Sequence, residues 1–207
     1  MDKEHDKLQN GITEKNNTNN KNSDDDFNIF KEILEMGIYF IVIVIIFLLL
    51  QHFVGQHIEV NGSSMENTLS HKDHLILEKV SYHFGEPTRY DIVVFRPYMT
   101  EEKEEKYYIK RLIGMPGDRI QVIEGEIYIN DEILPESYST EAIKDSRYGI
   151  AKEEIVLDED EYFLMGDNRN NSTDSRDKSI GPVKRDAIIG RAWVRIWPLS
   201  KFEIIDH

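Results

Sequence analysis

The sequence predicts a mainly β protein with a single transmembrane helix near its N-terminus. Two observations support this fold class. Fifteen uncharged and mostly apolar residues run from Met36 to Leu50. After residue 55, short segments rich in β-branched and aromatic side chains alternate with Gly, Pro and Asp turns. The length of 207 residues fits one folded domain of ordinary size together with an anchor and a tail.

Residues 1–32 are hydrophilic and rich in asparagine, and they include the acidic run Asp24–Asp26. Such a segment buries too little apolar surface to offset the loss of chain entropy on folding. We therefore expect residues 1–32 to form a disordered tail.

Residues 33–54 are predicted to be an uncleaved membrane anchor. A helix of roughly 20 residues crosses a hydrocarbon core of about 30 Å. The segment is apolar all round, unlike a core helix, and no small-residue cleavage site follows it, unlike a signal peptide. Lys21 and Lys31 precede Met36 within twenty residues, whereas no Lys or Arg occurs in the twenty residues after Leu50. This difference of only two residues favours a cytoplasmic N-terminus.

Residues 55–207 are predicted to be the folded, mainly β domain. Ile120–Asn130 resembles a hairpin that turns near Glu124-Gly125, and Met115–Asp118 is a strong turn signal. The sequence of Ala142–Glu154 is compatible with either a helix or a loop. The predicted strand segments are Asp73–Val80, Asp91–Phe95, Tyr107–Gly114, Arg119–Asn130 and Glu161–Asp167.

Composition excludes several classes of function. The chain has 25 Lys and Arg against 39 Asp and Glu, a net charge of −14, which argues against a nucleic-acid partner. It has no cysteine, so disulfides, zinc–thiolate sites and thiol nucleophiles are excluded. The seven histidines have no metal-binding spacing, and no G-x-S-x-G motif occurs. A serine paired with a lysine is the arrangement that remains.

Three segments contain the candidate residues: Asn61–Leu69 (NGSSMENTL), Tyr107–Asp118 (YYIKRLIGMPGD) and Gly166–Arg176 (GDNRNNSTDSR). Taken singly, each also reads as ordinary structure: a serine-rich turn, a strand lysine that reaches solvent, and a solvated polar loop. However, a lysine held in an apolar strand can lose its proton and act as a base.

Together these segments resemble the type I signal peptidases. That family has a G-x-S-M-x-P-T-L box, an R-G-D-I-V-V strand, a Y-x-K-R-x-x-G-x-P-G-D box and a G-D-N-R-D-N-S-x-D-S-R box. This chain has GSSMENTL, RYDIVVF, YIKRLIGMPGD and GDNRNNSTDSR in the same order after its apolar segment. The closing segment GPVKRDAIIGRAWVRIWP is also similar to that of the family.

The resemblance implies an antiparallel β catalytic domain of signal-peptidase type. It implies a membrane-bound serine endopeptidase that removes signal peptides from exported preproteins, with Ser64 as nucleophile and Lys110 as general base. No metal or organic cofactor is implied. The implied setting is the cell membrane, with the N-terminus cytoplasmic, the catalytic domain extracytoplasmic, and the lipid bilayer and secretion translocon nearby.

The same resemblance assigns supporting and substrate-binding positions. Ser172 matches the serine that orients the lysine amine, and Arg111 is the expected partner of Asp167. Asp167, Arg169, Asp174 and Arg176 match positions that stiffen the site. The implied pocket positions, which could instead be plain core, are Ile58, Val60, Met65, Leu69, Tyr108 and Ile109.

This chain departs from the family pattern at four positions. Gly62 lacks the hydroxyl that some members use as an oxyanion donor. Asn67 replaces a proline, Tyr90 a glycine and Asn170 an aspartate. These departures keep open an alternative, a membrane-anchored peptide-binding paralogue with weak or no turnover. A self-cleaving repressor protease shares the Ser-Lys chemistry, but it would have a DNA-binding helix-turn-helix in place of an acidic tail and an apolar span.

Overall fold

The computed structural model describes residues 31–48, 56–97, 107–139 and 141–206. The chain divides into two units, Met1–Leu50 and Gln51–His207. In the first unit, residues 31–48 form helix α1, and all of its side chains are exposed. Most of the predicted tail and residues 49–54 of the predicted anchor lie outside the described residues. Within the described ranges, no helix combines the length and the apolar character needed to cross a membrane.

The second unit consists mainly of antiparallel strands. Helix α2 is the short element Ser81–Phe84. The strands are β1 Gln56–Glu59, β2 His74–Glu78, β3 Ile92–Phe95, β4 Tyr108–Gly114, β5 Arg119–Ile123, β6 Glu126–Ile129, β7 Glu132–Ile133, β8 Ile155–Val156, β9 Glu161–Met165, β10 Val183–Lys184, β11 Ile188–Trp197 and β12 Glu203–Ile204. The 3-10 helices are Asp145–Arg147, Gly149–Lys152, Arg185–Ala187 and Leu199–Lys201. The mainly β antiparallel prediction is confirmed.

The strands form two sheets. The larger sheet has the order β1-β2-β11-β3-β4-β9-β10, with β12 paired to β11, and the smaller has the order β7-β6-β5-β8. Apolar side chains from β2 and β3 pack with the segment that follows β1, burying Met65 and Leu69 almost completely. The core therefore extends beneath the segment that contains Ser64.

Each of the five predicted strand segments contains a strand, and the hairpin prediction is confirmed. β5 and β6 pair up to Ile123 opposite Glu126, and Glu124 and Gly125 form the turn with φ of 50° and 87°. Sequence analysis missed β11, which lies between β2 and β3 in the larger sheet. In the open segment Ala142–Glu154, the structure has 3-10 helices rather than an α-helix.

Strand β4 positions the candidate lysine at a partly open sheet edge. Residues 108–111 pair with β3 on one side. On the other side β9 pairs only from Arg111 onward, and no strand among the described residues pairs with Tyr108–Lys110 there. β1 stands at one end of the sheet order. Both strands therefore have backbone edges with room for an added strand.

Candidate active site

Ser64 lies in a tight turn that the core holds in place. The N–H groups of Thr68 and Leu69 both donate to the Met65 carbonyl, at 3.0 and 2.7 Å. Met65 and Leu69 are fully buried, whereas Ser64 between Ser63 and Met65 is only half-buried. The apolar neighbours therefore anchor the turn and leave the Ser64 hydroxyl at the surface of a cleft.

The structure brings Ser64 and Lys110 together, although 46 residues separate them in the sequence. Lys110 Nζ lies 2.7 Å from Ser64 Oγ and donates to the Ile109 carbonyl at 2.9 Å. The Lys110 side chain is buried in its strand. This burial, opposed by the charges of Asp174 and Asp167, lowers the pKa of Lys110 to about 8. A serine hydroxyl beside such an amine has the arrangement of an activated nucleophile.

Two buried ion pairs lie behind this pair. Arg111 binds Asp167 through Nε and Nη2 at 2.9 and 2.8 Å, and the Thr68 hydroxyl donates to Asp167 at 2.5 Å. Arg176 binds Asp174 through Nε and Nη2, both at 2.8 Å. Burial alone would raise the pKa of Asp174, but the hydrogen bonds and charge of Arg176 outweigh it and hold that pKa below its ordinary value. The Asp174 carboxylate therefore remains charged near the lysine.

The loop from Gly166 to Ser172 presses directly against the serine turn. The Asn168 N–H donates to the Ser64 carbonyl at 3.0 Å. A Cβ atom at Gly166 would lie 2.3 Å from Ser172 Oγ and 2.4 Å from the Ser64 carbonyl oxygen. Only glycine fits at residue 166, because any side chain there would push the loop away from the nucleophile.

Ser172 is buried beside Gly166 but makes no hydrogen bond to Lys110. Its Oγ atom makes no hydrogen bond of ordinary geometry among the described residues, but the hydroxyl lies close enough to Asp174 to help hold the pKa of that carboxyl below its ordinary value. The Lys110 amine is held by Ser64 and by the Ile109 carbonyl. The lysine-orienting role that the resemblance assigns to Ser172 therefore stays a prediction without a direct contact in this structure.

A cleft of about 750 Å³ opens beside Ser64 and Lys110. Of the predicted pocket residues, Ile58, Tyr108 and Ile109 line it. Val60, Met65 and Leu69 do not line this cleft. They are buried in the core with residues of β2 and β3. These three side chains are buried because they pack beneath the serine turn and hold its ends in place.

Sequence reasoning missed several residues that fix the site. Thr68 contacts both Asp167 and Arg111, and no motif signal distinguishes it from an ordinary turn residue. Glu136 pairs with both terminal nitrogens of Arg169 at 2.5 Å. The Tyr138 ring contacts two guanidinium groups, with its centroid 4.0 Å from Arg111 Cζ and 5.7 Å from Arg169 Cζ. No cluster of three or more His, Asp or Glu suited to a metal ion occurs among the described residues.

The departure at Asn170 has a local structural explanation, whereas the backbone conformation at Tyr90 would favour the glycine of the family pattern. Tyr90 has a φ of 78°, a conformation that favours glycine, and its carbonyl accepts a hydrogen bond from Arg111 at 2.9 Å. The Asn170 amide accepts from the Lys144 N–H and donates to the Ala142 carbonyl, at 2.9 and 3.1 Å. An aspartate could not make the second of these bonds, because an ionised carboxylate has no donor.

Asn67 has a φ of 84°, which proline cannot adopt. We therefore expect Asn67→Pro, although it restores the residue of the family pattern, to lower the free energy of unfolding by about 1–3 kcal/mol and to reduce activity. Asn67→Gly is the control, because glycine enters positive φ without strain. Thermal unfolding of both variants tests this expectation, and a proline variant as stable as the parent would contradict it.

Comparison with known proteins identifies the family of this chain. A serine and a buried lysine on an antiparallel β scaffold define a candidate peptidase of the serine class. The family model described as signal peptidase, peptidase S26, matches residues 33–197. The chain therefore belongs to the signal peptidase family, peptidase S26.

Individual relatives are similar over most of their length. The chain is 38% identical to probable signal peptidase I-2 of Synechocystis sp., over 83% of this chain and 77% of that protein. It is 33% identical to signal peptidase I T of Bacillus subtilis, over 92% of this chain and 97% of that protein. A solved signal peptidase I from Enterococcus faecalis is 28% identical, with a TM-score of 0.41, over 51% of this chain and 96% of that one.

Proposed function

We propose that Ser64 and Lys110 form a catalytic dyad that hydrolyses the bond between a signal peptide and an exported protein. The contact of 2.7 Å between Lys110 Nζ and Ser64 Oγ is the observation that supports this proposal most directly. Because the pKa of Lys110 is about 8, part of the Lys110 amine is unprotonated at neutral pH and can accept the proton of the Ser64 hydroxyl. Membership in the signal peptidase family supports the choice of substrate.

The proposed reaction has two halves. Ser64 Oγ attacks the scissile carbonyl, its proton passes to Lys110 Nζ, and the carbonyl electron pair moves to the oxygen. The tetrahedral intermediate then collapses: the C–N bond breaks, and the Lys110 ammonium protonates the leaving amine. A water molecule next attacks the acyl ester and gives a proton to Lys110. As the second intermediate collapses, that proton returns to Ser64 Oγ and the signal peptide leaves with a free carboxylate.

The cleft suits an extended peptide. Two of its walls are β1 and the start of β4, and each of these strands has an edge with no strand partner in the described part of the chain. A peptide added there would hydrogen-bond through its backbone and direct alternate side chains into the cleft. Ile58, Tyr108 and Ile109 offer apolar walls. We infer that small side chains are preferred at the first and third positions before the cleaved bond.

We infer that residues 33–54 anchor the enzyme in the cell membrane. The apolar side chains of helix α1 are exposed, for example Phe40 at 68% and Ile43 at 63%, and such a surface is compatible with lipid. The inferred topology has residues 1–32 in the cytoplasm and residues 55–207 as the extracytoplasmic catalytic domain. The active site would then meet exported preproteins as they leave the translocon.

Cleavage of a preprotein by the full chain in detergent tests this function. We expect the wild type to release the mature protein and Ser64→Ala to release none above background, because no other hydroxyl lies against Lys110 Nζ within the described structure. Ser179→Ala is the matched control, since Ser179 is exposed and lies outside the cleft. If the wild type binds the preprotein but never cleaves it, the chain is a peptide-binding paralogue and the proposal fails.

A further inference from the structure

An acyl-transfer site needs hydrogen-bond donors aimed at the oxygen that becomes negative in the transition state. The N–H group of Ser64 is one natural donor, and it donates to no other described residue. Gly62, two residues earlier, has no side chain to supply a second donor, and its N–H already donates to His71 Nδ1 at 3.3 Å. The second donor must therefore come from another group in the cleft.

Ser63 lies in this cleft directly beside the nucleophile, and the opposite loop holds it at two points. The Asn171 side-chain amide donates to Ser63 Oγ at 2.9 Å. The Asn168 side-chain amide donates to the Ser63 carbonyl at 3.1 Å. The position of the Ser63 side chain is thus set by the same loop whose backbone contacts the Ser64 carbonyl.

The direction of the Asn171 bond decides what Ser63 can do. A hydroxyl group has one proton to donate and two lone pairs that accept. Because Asn171 donates to Ser63 Oγ, one lone pair is occupied and the Ser63 proton is available to a different acceptor. No described residue accepts that proton, whereas the cleft beside Ser64 is where a substrate carbonyl would lie.

We propose that the Ser63 hydroxyl is the second oxyanion donor and that Asn171 is its positioning residue. This inference rests on the proposed function of the Ser64–Lys110 pair. When the bond from Ser64 Oγ to the substrate carbon forms, the negative carbonyl oxygen accepts hydrogen bonds from the Ser64 N–H and from the Ser63 O–H. The Ser63 proton stays on its own oxygen throughout, so Ser63 stabilises charge without transferring a proton.

Steady-state cleavage of a preprotein by the full chain tests the role of Ser63. Loss of one oxyanion donor typically lowers kcat by about 10²- to 10³-fold. We expect Ser63→Ala to show a loss at the lower end of that range with little change in KM, because the bond strengthens only in the transition state. Ser63→Thr keeps the hydroxyl and should lose far less. The midpoint of the pH profile of kcat should not change, because the variant keeps Lys110.

A double-mutant cycle separates Ser63 from Asn171. If Asn171 acts through Ser63, Asn171→Ala should lower kcat in the wild type but add little in the Ser63→Ala background. If Ser63→Ala leaves kcat unchanged while Asn171→Ala lowers it, the Asn171 amide itself is the donor and the inference is overturned. The inference is also overturned if the lower activity of Ser63→Ala is accounted for by a lower melting temperature or by a higher KM.

The same assay keeps this inference distinct from the proposed function. Cleavage by the wild type and none by Ser64→Ala establishes the dyad whatever Ser63 does. Under that outcome, an unchanged kcat in Ser63→Ala rejects the oxyanion role alone. If the wild type shows no cleavage, binding of a peptide aldehyde, which forms a tetrahedral adduct with an active serine, decides the case. Equal affinity of the wild type and Ser63→Ala for that aldehyde rejects the inference.

Discussion

Replacing Lys110 by methionine is expected to abolish cleavage while leaving the protein folded. The methionine side chain fills a similar volume in the apolar strand but cannot accept the Ser64 proton, which Lys110 Nζ is placed to take at 2.7 Å. General-base catalysis typically contributes about 10²- to 10⁴-fold. Since the lysine also protonates the leaving amine in the proposed reaction, we expect the loss to reach or exceed the upper end of that range.

The pH dependence of the wild type should report the same amine. Because the pKa of Lys110 is lowered to about 8, the active neutral form should increase from pH 7 and level off above pH 9. A plot of kcat/KM against pH for the wild type measures this midpoint. An activity maximum below neutral pH would contradict an amine base.

Stability provides an independent control on Lys110→Met. The folded state holds a lysine with a lowered pKa, so between about pH 8 and the ordinary value of 10.5 the unfolded chain binds more protons. The contribution of neutral Lys110 to the free energy of unfolding is fully present above pH 10.5, and it is lost as the pH falls through 8. Replacing the lysine should therefore raise the free energy of unfolding at pH 7, and the gain should shrink toward pH 10.5. A variant that is inactive and less stable at pH 7 would indicate a structural role instead.

Replacing Asp167 by alanine is expected to be the most destabilising single change at the site. Asp167 is fully buried against Arg111, and its loss would leave that guanidinium without its charged partner in the interior. Breaking a buried pair in this way typically costs about 3–5 kcal/mol. For a domain of this size, that corresponds to a melting temperature lower by roughly 10 °C. Thermal unfolding followed by circular dichroism measures it.

Asp160→Ala is the matched control for Asp167→Ala. Asp160 lies 3.5 Å from Lys184 in a pair that is more than half exposed, so solvent screens it and we expect a change of about 1 kcal/mol or less. The double variant Arg111→Met with Asp167→Leu should recover part of the stability lost in Asp167→Ala, because it removes the orphaned charge. Equal melting temperatures for Asp167→Ala and Asp160→Ala would show that the buried pair is not a stabilising element.

The strands could be predicted where the local sequence pattern matches the burial of the side chains in the structure. β3 is four consecutive apolar residues bounded by polar ones, and β5 and β6 flank the Glu124-Gly125 turn that closes their hairpin. β11 was missed because charged and apolar side chains alternate irregularly along it, and its partners β2 and β3 lie about a hundred residues earlier. The periodicity of apolar residues within a short stretch of sequence does not reveal pairing between strands that are far apart in the chain.

The departures from the family pattern also needed the structure for their interpretation. Asn67 and Tyr90 read as simple substitutions in the sequence, but both have positive φ, which only backbone geometry reveals. Val60, Met65 and Leu69 read equally well as pocket or core, because an apolar residue beside a nucleophile satisfies either role. In the structure these three side chains are buried beneath the serine turn and do not line the cleft.

The sequence by itself determined the family, the candidate nucleophile and base, and the mainly β fold, because each depends on residue identity and short-range pattern. The absence of cysteine, the lack of metal-binding histidine spacing and the ordered motifs already pointed to a serine with a lysine. Only the tertiary structure decided that Lys110 is buried 2.7 Å from Ser64 and that Asn171 holds the neighbouring Ser63. These facts depend on strands and loops that are distant in the chain, and their packing sets both the pKa of the base and the direction of each hydrogen bond.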